Sequence, residues 1–204
     1  MNEEILLNKA IRVLKTGGVI IYPTETVYGL GADATNRDAV NKIFEIKRRD
    51  RFKPILIAVS SVEMAKKYVW WNKYADVLAK KYLPGPLSLV LSIKDKSIDE
   101  NIYQGGIKVG IRIPDDDFVL KLISNFNRPI TSTSANVSGE KPPIKIEDID
   151  EEVKNKVDLI IDRGETKVKK PSTVVDVSSY PPRLIREGAI KFEEIKEVIE
   201  SNIG

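Results

Sequence analysis

Short, continuously apolar runs alternate along this chain with stretches whose apolar residues recur at helical spacing. Val19 to Tyr22, Pro54 to Val59, Leu87 to Ile93 and Ile107 to Ile113 are runs of the first kind. A strand apolar on both faces needs cover on both faces. Residues 3–16 gather Ile5, Leu6, Ala10, Val13 and Leu14 on one side, and residues 37–48 do the same with Val40, Ile43, Phe44 and Ile46. This alternation predicts an α/β fold, a twisted sheet flanked by helices. Further helices are expected near 61–68, 72–82, 118–124, 146–156 and 192–201, and further strands at 129–131, 157–161, 173–177 and 183–186. The 87–93 and 107–113 strands follow one another without an obvious helix, so the sheet is expected to be mixed. With 204 residues and no repeat or linker, the chain reads as one domain, 1–204.

Two absences narrow the chemistry. The chain has no cysteine and no histidine, which removes thiol nucleophiles, disulfides, the Ser-His-Asp triad, the common zinc sites and the usual neutral-pH base. Reactions that need mainly alignment and charge neutralisation, such as phosphoryl or nucleotidyl transfer, remain open. The net charge of +3 is too small to mark a nucleic-acid binder. The start of the chain is polar and acidic, and no apolar run approaches the ~20 residues of a membrane span. A cytoplasmic protein without membrane contact is expected.

Three clusters stand out. Pro23-Thr24-Glu25-Thr26-Val27-Tyr28-Gly29-Leu30-Gly31 follows a buried strand, where open sheets bind ligands. It reads equally as an ordinary strand exit rich in turn residues. Its glycines do not form GxGxxG, and no GxxxxGK[ST] exists, which excludes the Rossmann and P-loop phosphate sites. Lys47-Arg48-Arg49-Asp50-Arg51-Phe52-Lys53 is the second cluster. Lys47 continues the buried stripe of Val40 and Ile43, so its ammonium is expected to emerge at a cleft edge, with Arg48 on the surface. Arg49 and Lys53 lie close enough to join Lys47 around a polyphosphate. The third cluster, Thr131 to Gly139, offers hydroxyls and one amide without bulk and reads as a ligand loop. Arg112, Ser172 and Arg186 stand alone and read as surface polar groups.

Taken together, these motifs resemble the threonylcarbamoyl-AMP synthases, the YrdC-like domain family. The likeness rests on Pro23 to Gly31, on Lys47-x-Arg49, on Ser134-x-Asn136 followed by Ser138-Gly139, and on Pro171 to Asp176 with Arg186-Glu187-Gly188 downstream. It extends from about residue 5 to 199. The resemblance implies the YrdC-like fold, with a concave, positively charged face. It also implies the reaction: L-threonine, bicarbonate and ATP give threonylcarbamoyl-adenylate and pyrophosphate. The product serves threonylcarbamoyladenosine modification of tRNA through a partner transferase. By position, Lys47, Arg49, Ser134 and Asn136 match the catalytic residues. Thr26, Arg112, Ser132 and Ser172 match threonine contacts. Lys47, Arg49, Lys53, Ser134 and Arg186 match ATP contacts. Mg²⁺ is expected to arrive with ATP and to be held mainly by phosphates, with no protein metal site.

The pattern departs from the family at Arg48 and Asp50, where glycine and proline are typical, at Lys53, where asparagine is common, and at Ala58, where histidine is common. The carbamoyl-adenylate proteins of hydrogenase maturation carry cysteine-rich modules that this chain lacks. A different class of reading is a non-catalytic module that binds tRNA or double-stranded RNA through a basic concave face. The alternatives separate at two adjacent residues. Arg49→Ala is expected to abolish most pyrophosphate release while Arg48→Ala changes it little; equal losses at both, measured by steady-state turnover, would indicate a diffuse RNA-binding patch.

Overall fold

The computed structural model describes residues 2–203. Met1 and Gly204, the ends of the expected 1–204 domain, lie outside the described residues. The chain begins with helix α1 (Glu3–Lys15), strands β1 (Ile20–Tyr22) and β2 (Gly29–Gly31), helix α2 (Arg37–Ile46) and strand β3 (Leu56–Ala58). Helices α3 (Val62–Tyr68) and α4 (Lys73–Tyr82) precede strand β4 (Leu87–Ser92), the short helix α5 (Glu100–Tyr103) and strand β5 (Lys108–Arg112). Helix α6 (Asp117–Phe126) leads into strand β6 (Ile130–Ser134). A 3₁₀ turn (Ile146–Asp148), helix α7 (Glu151–Lys154) and strands β7 (Leu159–Ile160), β8 (Thr173–Asp176) and β9 (Arg183–Arg186) follow, and helix α8 (Phe192–Ile203) is last.

Local chemistry sets the helix starts. Asn2, Asn36, Ser61, Asn72 and Asp116 each accept a backbone N–H of the first turn on their side-chain oxygen, satisfying donors that a helix leaves free. Gly17, at φ +74°, ends α1 as a left-handed residue should.

The nine strands form a sheet in the order β7-β1-β2-β6-β3-β5-β4-β8-β9. The pairs β1/β7, β3/β5 and β4/β8 are parallel and the others antiparallel. The expected mixed sheet is therefore present, and β4 and β5 are antiparallel neighbours. Helix α1 packs on α6 and α4 on α8, burying a continuous apolar cluster against the strands. No helix among the described residues is long and apolar enough to cross a membrane.

Four expectations are corrected. The strand expected at 129–131 runs on to Ser134, so half of the hydroxyl-rich loop is sheet. Serine carries little strand propensity, and here pairing with both β2 and β3 outweighs its presence at Ser132 and Ser134. The helix expected at 146–156 breaks at Asp150, whose side chain caps α7 by accepting from Glu152 N. Helix α5 occupies part of what read as a loop between β4 and β5. Finally, Gly29-Leu30-Gly31 is a strand rather than a turn. Its glycines make room for the fully buried Tyr22 ring, whose hydroxyl donates to Thr131 O at 3.1 Å. A Cβ at Gly31 would lie 2.9 Å from Tyr22 Cε1 and 3.1 Å from Ile20 Cγ1. Gly31→Ala should therefore cost about 2 kcal/mol, the scale of overpacking a tight core; urea melts giving no loss would show that Tyr22 can move aside.

Candidate active site

A cavity of about 680 Å³ lies across seven adjacent strands, from β2 to β9. Side-chain alternation builds its floor. On β5, Lys108, Gly110 and Arg112 face it at every second residue; β8 adds Val174 and Asp176, and β3 adds Leu56. Strand β6 contributes Ser132, Thr133 and Ser134. Arg49, Lys53, Ser172 and Arg186 complete the polar lining, so five cationic side chains meet one carboxylate, Asp176. Asp176 is itself engaged, 2.9 Å from Lys108 Nζ.

Arg49 reaches the cavity because the chain reverses just before it. Arg48 adopts φ +45° and turns outward, where its guanidinium pairs with Glu152 at 2.5 Å. Arg48 is thus on the surface, as its position off the stripe predicts. Arg49 donates to Lys53 O and Pro54 O at 3.1 and 2.8 Å, closing the 49–54 loop on itself. Asp50 shapes the same loop by accepting from Phe52 N. The other departure, Ala58, is buried between Arg112 on β5 and Ile130 on β6.

Arg186 projects from the edge strand β9 and donates to Ser172 O at 2.9 Å. Its pKa is lowered by burial of the guanidinium and by the charges of Arg112 and Arg49. Ser172 shares a hydrogen bond with Ser88 at 2.9 Å. Gly188 closes this corner. A Cβ there would collide with the main chain of Pro171 and Ser172, which accounts for a glycine in Arg186-Glu187-Gly188.

Arg112 is a correction to the sequence reading: it is 5% exposed, not a surface residue. Its Nη2 lies 2.6 Å from Glu25 Oε1, and Nη1 and Nη2 both donate to Thr26 Oγ1 at 3.1 Å. Thr26 is wholly buried, lies 2.8 Å from Thr24 Oγ1, and is absent from the cavity lining, where Thr24 appears instead. Its hydroxyl supports Arg112.

Lys47 is the second correction. It is 1% exposed, and its ammonium does not emerge at the cleft edge. Nζ donates to Ser134 O at 2.5 Å, to Asn136 O at 2.8 Å and to Asn136 Oδ1 at 3.3 Å. Lys47 O in turn accepts from Ser138 N, and Asn136 Nδ2 donates to Glu140 O. Lys47 and Asn136 therefore lie behind Ser134, outside the lining, and hold the turn that presents it. Burial, helped by the Arg49 charge, pushes Lys47 down to about 7.

Sequence reasoning assigned no role to Glu25, Lys108 or Asp176. Lys108 was findable once β5 was placed, since it shares the period-2 face of Arg112. Glu25 gave no signal, because its partner is 87 residues away. Among the described residues no group of three His, Cys, Asp or Glu is placed to hold a metal ion.

Lys47→Met should lower stability by about 2–3 kcal/mol, since it leaves buried carbonyls without a donor. With a folded value near 7 against an ordinary 10.5, the unfolded chain binds more protons between those limits, so Lys47's contribution to stability grows as pH rises through that window. Urea melts at pH 7 and pH 9 should show the unaltered protein gaining on Lys47→Met. A constant gap would place the Lys47 pKa at its ordinary value.

The family model Sua5–yciO–yrdC, described as telomere recombination, matches residues 12–188. The threonylcarbamoyl-AMP synthase of Pyrococcus abyssi is 40% identical over 97% of this chain and 58% of its own length. That of Bacillus subtilis is 35% identical over 94% of this chain and 56% of its own. This chain thus spans little more than half the length of either relative. A crystal structure of P. abyssi Sua5 complexed with L-threonine superposes with a TM-score of 0.91 at 38% identity, covering 98% of this chain and 58% of that one. The chain belongs to the Sua5–YciO–YrdC family.

Proposed function

We propose that this chain is a nucleotidyltransferase that makes threonylcarbamoyl-AMP and pyrophosphate from L-threonine, bicarbonate and ATP. The observation that carries the reading is the cavity itself, where five cations and the hydroxyl residues Ser132 and Ser134 meet a single, already paired carboxylate. Such a site suits several anions brought together. The relatives named threonylcarbamoyl-AMP synthase support this product, and the neighbour complexed with L-threonine supports the amino acid.

In this reading the threonine amine and bicarbonate condense to a carbamate with loss of water. A carbamate oxygen bonds to the α-phosphorus as the bond to the β-phosphate oxygen breaks, and pyrophosphate leaves. Carbamate and triphosphate repel each other, so the chain's task is to align them and neutralise their charge. Arg112, with Thr26 behind it, and Ser132 and Ser172 take the amino acid. Arg49, Lys53, Ser134 and Arg186 take the nucleotide. Lys47 and Asn136 act on the reaction by holding Ser134 in place. Mg²⁺ would neutralise phosphate charge and be held by the phosphates and water, since the described residues offer no carboxylate cage. The product would pass, in the cytoplasm, to a separate transferase acting on tRNA.

The test is pyrophosphate release by the purified protein. Release should require threonine and bicarbonate together, and tRNA should change it little. Serine, lacking one methyl, should be used about 10-fold less efficiently, as expected for a small apolar contact. Equal ATP cleavage without threonine, or an absolute need for tRNA, would overturn the reading.

A further inference from the structure

Arg112 alone among the cavity's five cations is fully sunk in the protein, and a carboxylate is sunk with it. Glu25 is 4% exposed, yet it is not part of the cavity lining. Its charge therefore faces Arg112 and not the space where anions would sit. The carboxylate is held from two directions. Oε1 accepts from Arg112 Nη2 at 2.6 Å and Oε2 accepts from Asp115 N at 3.1 Å. The Glu25 backbone is fixed as well, because its carbonyl accepts from Val168 N at 2.7 Å. Glu25 thus joins the β1–β2 loop, the end of β5 and the segment leading to Ser172.

A buried carboxylate beside an anion-binding site costs desolvation and subtracts positive charge, so its presence needs a reason. The reason lies in the crowding of guanidinium groups. The charges of Arg112 and Arg49 both act on Arg186. Without a local counter-charge, desolvation and this repulsion would favour rotation of Arg112 away from the cluster. Glu25 Oε1 and Thr26 Oγ1 together grip both Nη atoms, while the buried Nε has no acceptor among the described residues. Arg112 is thereby oriented before any ligand arrives, with three of its five N–H donors engaged.

We propose that Glu25 is a positioning residue for Arg112, and that through this buried pair it sets the affinity for the carboxylate of the amino-acid substrate. The proposal rests on the reading of the cavity given above. Glu25 does not line the cavity, so its loss is expected to act through Arg112 alone.

The experiment compares the unaltered protein with Glu25→Gln, Arg112→Lys and the double variant, reading kcat and KM for each substrate by pyrophosphate release. Glu25→Gln should raise the threonine KM about tenfold or more, the effect of removing one partner from a buried charge pair, and leave the ATP KM within about twofold. The double variant should be no worse than Arg112→Lys, since both changes act at one guanidinium. Equal rises in both KM values, or losses that multiply in the double variant, would overturn the proposal. Should Glu25→Gln fail to fold, Glu25→Asp keeps the charge and should give a smaller rise confined to threonine; an unchanged threonine KM there would count against the role. An unaltered protein without turnover would sink the proposed reaction itself. Calorimetric titration with L-threonine then decides the positioning role separately: weaker binding by the Glu25 variant supports it, and unchanged binding by the variant, or no binding by the unaltered protein, overturns it.

Discussion

Strand Ile130–Ser134 carries both the sheet and the cavity, because its backbone pairs with β2 on one side and β3 on the other. Without it the two halves of the sheet would not meet. Its side chains are small and polar for reasons on both faces. Thr131 Oγ1 accepts from Ala32 N and donates to Leu30 O, tying β2 more firmly to β6. Ser132 to Ser134 leave the cavity side free of bulk. A larger apolar strand would hold the sheet equally well and fill the cavity.

The second constraint is electrostatic. Gathering Arg49, Arg112 and Arg186 around one space is unfavourable until an anion enters. The fold meets that cost by different means at each residue. Arg49 and Arg186 spend their donors on main-chain carbonyls of their own surroundings. Arg112 has a buried carboxylate. Lys47 is withdrawn from the cavity and surrounded by carbonyl oxygens. These arrangements keep a preorganised cationic site, which gains more from preset dipoles than from flexible charges.

The architecture was legible in sequence where a single element's own chemistry decided it. Apolar runs located β1, β3, β4 and β5, and helical spacing located α1 and α2. The ligand motifs were legible too, and Arg49, Lys53, Ser132, Ser134, Ser172 and Arg186 do line one cavity. The misses at Lys47, Arg112 and Glu25 share one cause, dependence on a partner distant in sequence. Nothing within Gly29-Leu30-Gly31 announces a strand until Tyr22 packs across it.

Residue type and spacing alone determined the α/β class, the exclusion of histidine and cysteine chemistry, and which segments carry the polar site, since these follow from local propensity and side-chain chemistry. Only the tertiary structure decided which polar groups face ligand and which face one another. Lys47, Thr26 and Asn136 look like ligand groups by type, yet their hydrogen bonds are used within the protein. Glu25 looks like a turn residue and is a buried counter-charge. The physical reason is that burial fixes the meaning of a polar side chain: once removed from water it must find a partner, and the partner is set by the path of the whole chain.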